Sequence, residues 1–150
     1  MSNPLFGRLL VPTDGSKDSV EAGELAFRIA QEQRAQVTVL HVVDLDLLEQ
    51  TVGFSEKTRS EVRERMRREG ENYIRHLEKI AQRYEVEVRE AIREGDPHKE
   101  IVDLADEKGV DLIVMGHAGR RGPRRKIVGS VAERVIRFAP CPVLVCKGQG

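Results

Sequence analysis

At 150 residues the chain is the size of one domain, 1–150, and folding at that length buries about two-thirds of the unfolded surface, enough for a core without disulfides or metals. Lys plus Arg number 25 and Asp plus Glu number 25, so no net field draws nucleic acid or an anionic membrane, and any electrostatic site must be local. The start, Met1 to Gly7, has no signal-peptide pattern, and no apolar run approaches the roughly 20 residues of a membrane span, so a cytoplasmic protein is expected.

Leu9 to Val11, ending at Pro12, is a short apolar run that reads as a buried first strand. From Ser16 to about Arg34 the pattern turns helical, with Ala22, Ala26, Ile29 and Ala30 on one face beside Gly23 and Phe27. A face so rich in small residues lets a helix lie close on a sheet. Val37 to Val43 is β-branched and predicts a second strand. Residues 44–55 are the least regular stretch, although they carry Leu45, Leu47, Leu48, Val52 and Phe54.

A long helix is predicted over roughly 56–84, with an apolar stripe of Val62, Met66, Tyr73, Leu77, Ile80, Ala81 and Tyr84 at spacings of three and four. Its charge accounts better for the chain's 33% of charged residues than an ion-pair surface of the thermophilic kind. Gly70 falls on the stripe and either weakens it or permits close packing. Val86 to Ala91 alternates, as a strand exposed on one side does.

Asp96 as N-cap and Pro97 at the first helical position open a further helix that buries Ile101, Val102 and Ala105 and stops at Gly109. Leu112 to Met115 is apolar throughout, as a central parallel strand should be. A loop rich in Gly and Arg follows over 116–129. The last helix is expected from Ser130, with Val131, Val135 and Ile136 inward, and Val143 to Cys146 closes the order as a fifth strand. Cys141 and Cys146 face opposite ways along a period of two, so they do not pair within it and suit a reducing compartment.

The order β-α-β-α-β-α-β-α-β implies right-handed crossovers and a doubly wound parallel sheet covered on both faces, an α/β fold. Ligands in such folds sit at the carboxyl ends of the strands, near the point where strand order switches. Two loops therefore matter most, those after strands 1 and 4.

In the second of them, Gly116 directly follows a strand and Gly129 directly precedes a helix. Glycine there lets a phosphate approach the backbone, and a helix N-terminus offers unpaired N–H groups and partial positive charge. Ser130 can add its hydroxyl, although Glu133 three residues on also makes it a candidate for a plain capping box. Inside the loop stand Arg120, Arg121, Arg124, Arg125 and Lys126. Guanidinium groups bind phosphate in pairs of hydrogen bonds, and Arg120, next to Gly119, is the first candidate.

Gly116-His117-Ala118-Gly119, nine residues, then Gly129-Ser130, resembles the nucleotide motif of the ATP-binding branch of the universal stress protein family. Val11 to Ser16 resembles that family's first strand and loop, Gly95-Asp96-Pro97 its third loop, and Pro142 to Val145 its closing strand. Only 44–60 lack a match. The resemblance implies a five-stranded sheet in the order 3-2-1-4-5 that binds ATP, with Mg²⁺ carried mainly by the phosphates. Pro12, Thr13 and Asp14 would border the adenosine, and Val42 or Val43 would offer backbone contacts to adenine. Met115 would pack by the ribose or base, and Gly116, Gly119, Gly129, Ser130 and Val131 would surround ribose and phosphates. Asp14 could instead cap the first helix, a role for which Ser16 is also a candidate.

The implied function is a nucleotide-dependent switch with at most slow hydrolysis or self-phosphorylation, because no base or water-orienting residue can be singled out. The implied partner is a second copy, paired through the apolar closing strand at the sheet edge. The alternative is an enzyme. Gly15 to Ser19 partly resembles the S-G-G-x-D-S loop of AMP-forming ATP pyrophosphatases, but Asp14 and Ser16 replace a serine and a glycine that such a phosphate cradle needs. Nucleic-acid binding lacks interleaved aromatics, a Walker loop is absent, and no His or Cys pair has zinc-ligand spacing.

Overall fold

The computed structural model describes residues 4–118 and 128–148. Five strands, β1 (Arg8–Pro12), β2 (Gln36–Asp44), β3 (Val88–Gly95), β4 (Leu112–Gly116) and β5 (Val143–Cys146), form one parallel sheet in the order β3-β2-β1-β4-β5. This is the expected doubly wound order. Five helices accompany them: α1 (Lys17–Gln33), α2 (Leu45–Gly53), α3 (Arg59–Arg83), α4 (Pro97–Glu107) and α5 (Ser130–Phe138).

Alternation along each strand divides the core into two layers. Leu9, Val11, Val37, Val39 and Val114 meet Ala22, Ala26 and Phe27 of α1 and Ile74 and Leu77 of α3. Leu10, Leu40, Ile113 and Met115 face the other way, towards Ile101 and Leu104 of α4 and Ala132 and Val135 of α5. Cys146 borders the first layer and Cys141 the second, and both thiols are free, as their spacing predicted.

Several local expectations change. Residues 44–55 are not irregular: α2 begins there because the Asp44 side chain accepts from the amides of Asp46 and Leu47. Only Leu48 of that helix is buried and Phe54 is 94% exposed, so no period was visible in the sequence. The long helix starts at Arg59 behind a Thr58–Glu61 capping box, later than residue 56. Its buried stripe passes through Gly70 and Ile74, with Tyr73 half-buried beside it.

β3 runs to Gly95, four residues past the expected end, because it pairs with β2 along its whole length. In α4 the third inward residue is Leu104, while Val102 is half-buried. Asp96 is the N-cap by position, yet its side chain makes no capping bond and instead lies 2.8 Å from His98 Nδ1. Ile136 is half exposed, at 50%, because Ala132 and Val135 take the inward face of α5.

Candidate nucleotide site at the strand switch

The order of strands reverses between β1 and β4. Pairing between them ends at Leu10 and Ile113, whereas β1 stays paired with β2 to Pro12 and Leu40. The cause is Pro12. Thr13 donates its amide to the Leu40 carbonyl at 2.8 Å, so by alternation position 12 faces β4, and proline has no N–H to offer. The two strands thus lose their ladder at their carboxyl ends, where an α/β sheet of this kind accepts ligands.

The loop after β1 is built by short side chains. Ser16 is the N-cap of α1 and accepts from Ser19 N at 3.2 Å, while Asp14 Oδ1 accepts from Ser16 N at 3.0 Å. Of the two capping candidates, Ser16 holds the helix and Asp14 holds the turn before it. Thr13 Oγ1 accepts from Gly15 N at 3.2 Å and lies 3.0 Å from Ser19 Oγ, which donates to the Ser16 carbonyl. Gly15 has φ +79°, a conformation that favours glycine, and the Tyr73 ring covers it.

The loop after β4 is tied to the first by α1. Asp18, in the first turn of α1, accepts from Ala118 N at 3.2 Å. Gly116 lies so close to α1 that a Cβ there would stand 2.8 Å from Asp18 Cβ and 2.9 Å from its carbonyl carbon. Its lack of a side chain is used by the helix. His117 donates its amide to the Cys146 carbonyl and accepts through its own carbonyl from Gly129 N, both at 2.8 Å. The start of α5 is thereby fixed to the end of β4.

The N-cap of α5 is Gly129, not Ser130, because the Gly129 carbonyl already accepts from Glu133 N at 2.9 Å. The alternative of a Ser130–Glu133 capping box is therefore absent. Ser130 occupies the first helical position and is exposed, and the N-cap Gly129 has no side chain with which to cap the first turn. Among the described residues, no hydrogen-bond acceptor is seen for the amides of Ser130, Val131 and Ala132. Amides at a helix start with no acceptor among the described residues, beside the buried Gly129, are a fit for an anion.

The structure brings Pro12, Thr13, Asp14, Gly116, Gly129 and Ser130 to one end of the sheet. Val42 is half-buried and Val43 fully buried on the adjoining end of β2. Met115 is only 6% exposed and packs, like Val131, in the layer of α4 and α5. Gly119 and Arg120, with the other basic residues of the loop, lie outside the described residues. Among the described residues no group of three His, Cys, Asp or Glu is placed to hold a metal. No helix among them is long and apolar enough to cross a membrane.

Two residues escaped the sequence. Asp18 was visible as an acid in a first helical turn, and His41 as the one titratable group in an apolar strand. His41 Nδ1 lies 2.8 Å from the Thr13 carbonyl, and its ring meets Tyr73 edge-on at 5.5 Å. Burial pushes its pKa down, against the opposing pull of the Thr13 carbonyl and the carboxylates of Asp14 and Glu69.

The model of the universal stress protein family matches residues 5–147. Universal stress protein MJ0531 of Methanocaldococcus jannaschii is 41% identical over 144 residues, covering 95% of this chain and 83% of that protein. The solved structure of MJ0577 from the same organism superposes with a TM-score of 0.84 at 29% identity, covering 97% of this chain and 99% of the other. The universal stress protein of Archaeoglobus fulgidus, solved in complex with dAMP, shares the fold with a TM-score of 0.71 at 24% identity over 95% of this chain and 99% of its own. With nearly its whole length matched by the family model, this chain belongs to the universal stress protein family.

Proposed function

We propose that the protein binds ATP, with Mg²⁺ carried mainly by the phosphates, in the cleft between the loops after β1 and β4. The observation that carries this reading is the start of α5, whose first amides have no acceptor among the described residues and which is anchored to the end of β4 through the Gly129–His117 bond. Its amides suit the phosphates. Thr13 and Asp14 border the adenosine, Val42 or Val43 offers backbone to the adenine, and Met115 supports the ribose side from below. Gly116 lets α1 lie close beneath the cleft, Ser130 and Val131 flank the phosphates, and Gly119 and Arg120, outside the described residues, are assigned to the phosphates by the motif alone.

The role is that of a nucleotide-dependent switch in the cytoplasm with at most slow hydrolysis or self-phosphorylation. The pyrophosphatase alternative is disfavoured by the same loop. Ser19 is buried with its hydroxyl committed to Ser16 and Thr13, and Asp18 is committed to Ala118. Calorimetric titration tests the reading: Gly129→Val puts a branched side chain at the helix start, and ATP affinity should fall at least tenfold, about 1.4 kcal/mol. Equal affinity in variant and parent, or a parent that takes up no ATP, removes the site from this loop.

The partner we propose is a second copy of the chain. β5 is an edge strand, and Leu144 at 37%, Ile136 at 50% and Phe138 at 58% exposure leave apolar surface on and beside it. Pairing of β5 with its own copy about a two-fold axis satisfies the edge. Sedimentation at micromolar concentration should give twice the monomer mass, and Leu144→Pro should shift it towards monomer. A parent that stays monomeric overturns the dimer.

A further inference from the structure

His41 lies on β2 at the same end of the sheet as the candidate site, and the bond it makes has only one direction. The Thr13 carbonyl can only accept, so Nδ1 carries the hydrogen and donates it at 2.8 Å. The opposite edge of the ring faces α3. A Cβ on Gly70 would land on Cδ2 and stand 2.8 Å from Cγ and 3.0 Å from Nε2, so only glycine leaves room for the imidazole. Tyr73, one turn further along α3, meets the ring edge-on and also covers Gly15, where a Cβ would lie 2.6 Å from its Cδ1 and Cζ. Residue 41 is therefore held between α3 and the loop after β1, and the same tyrosine presses on both.

We propose that His41 is a positioning residue of the nucleotide site: its imidazole, seated against Gly70 and Tyr73, holds the Thr13 carbonyl, and with it the loop 13–16, in the form that receives the nucleotide. This rests on the nucleotide reading above, and makes β2 and α3 part of the support for that loop. The geometry favours it over a merely space-filling ring. A core residue at this position needs no polar atom, and an apolar substitute would leave the Thr13 carbonyl without this donor. The loop downstream depends on the same peptide, since Gly15 N reaches Thr13 Oγ1 and Ser16 N reaches Asp14 Oδ1.

The charged and titratable groups facing the imidazole are Asp14 from the loop and Glu69 and Tyr73 from α3, and its partner across the ladder to β3 is the apolar Ile92. Burial favours the neutral ring, and the unfolded chain therefore binds the proton more readily. The stability this contributes is full above the ordinary histidine pKa near 6.5 and is lost as pH falls through the lower folded value.

Three substitutions separate positioning from packing. Asn places an amide N–H where Nδ1 stands, Gln places one where Nε2 stands, and Leu fills space alone. His41→Asn should keep ATP affinity and the hydrogen exchange of the Gly15 and Ser16 amides within threefold of the parent. His41→Leu and His41→Gln should weaken ATP at least tenfold by calorimetry and speed exchange at those two amides at least tenfold. The pH slope of thermal stability just below 6.5 should be reduced in all three. Should His41→Leu fail to fold, the Asn and Gln pair carries the same comparison. Variants that match the parent in both affinity and exchange overturn the proposal, as does Asn failing as badly as Leu and Gln. A parent that binds no ATP sinks the nucleotide reading, and the exchange rates in the unliganded variants then decide alone whether His41 positions the loop.

Discussion

Replacing Gly116 by alanine should cost about 3 kcal/mol of stability, near the top of the range for over-packing a core. Nothing in the backbone forbids the change, because Gly116 is not among the glycines with positive φ. The whole effect is therefore contact. The new methyl would stand 2.8 Å from Asp18 Cβ, 2.9 Å from Asp18 C and 3.0 Å from Ser19 N. Two of those three atoms are backbone in the first turn of a helix, so no rotamer change relieves them.

Nor can α1 back away as a body. Ala22, Ala26 and Phe27 are wholly buried against the sheet, and a Cβ on Gly23 on the far side would already press on Leu77 at 2.8 Å. In a domain of this size each kcal/mol moves the melting temperature by about 2–4 °C, so a fall of roughly 6–12 °C is expected. Thermal and urea unfolding of the unliganded protein measure it directly. An unchanged midpoint would show that β4 and α1 are not in the contact described.

The same glycine shows where sequence reasoning stops. Its place after an apolar strand was legible, and so was a role in close approach, but the sequence points to phosphate as the approaching group. The neighbour is Asp18, far away in the chain, and no local pattern announces it. Ser130 begins the last helix as expected. Serine with Glu133 three on has the composition of a capping box, but Gly129 takes the N-cap because its carbonyl already accepts from Glu133 N.

The parallel sheet, its covering on both faces and the importance of the loops after strands 1 and 4 were legible because they follow from alternation of element types and from apolar runs, whereas the strand order was implied by the family resemblance. α2 was not legible, since one buried leucine in nine residues leaves no period. On α3 the stripe was read through Tyr73 when Ile74 is the buried residue. An aromatic at an acceptable spacing outranked an aliphatic neighbour, and only the packing of Tyr73 over Gly15 and His41 explains its half-buried place.

Gly70→Ala should destabilise the protein, although the same change at an ordinary helix position stabilises it. Gly70 lies inside α3, a helix of 25 residues, where alanine is ordinarily the better residue by about 1 kcal/mol. Against that gain stands His41, whose Cγ and Nε2 would lie 2.8 and 3.0 Å from the added carbon. The ring has nowhere to go, being tied through Nδ1 to the Thr13 carbonyl and met edge-on by Tyr73. Over-packing costs about 1–3 kcal/mol, and the Thr13 carbonyl deprived of its half-buried partner costs about 1 kcal/mol more. The losses exceed the propensity gain, so a net loss of about 2 kcal/mol is expected. Truncating the ring should reverse the sign: in a His41→Ala background the obstacle is gone, and Gly70→Ala should then stabilise by about 1 kcal/mol. A double-mutant cycle by urea unfolding reads both values, and the coupling between the two sites should be about 3 kcal/mol. If Gly70→Ala stabilises the parent as it would an exposed helix, α3 is not seated on His41, and the support proposed for the loop 13–16 fails with it.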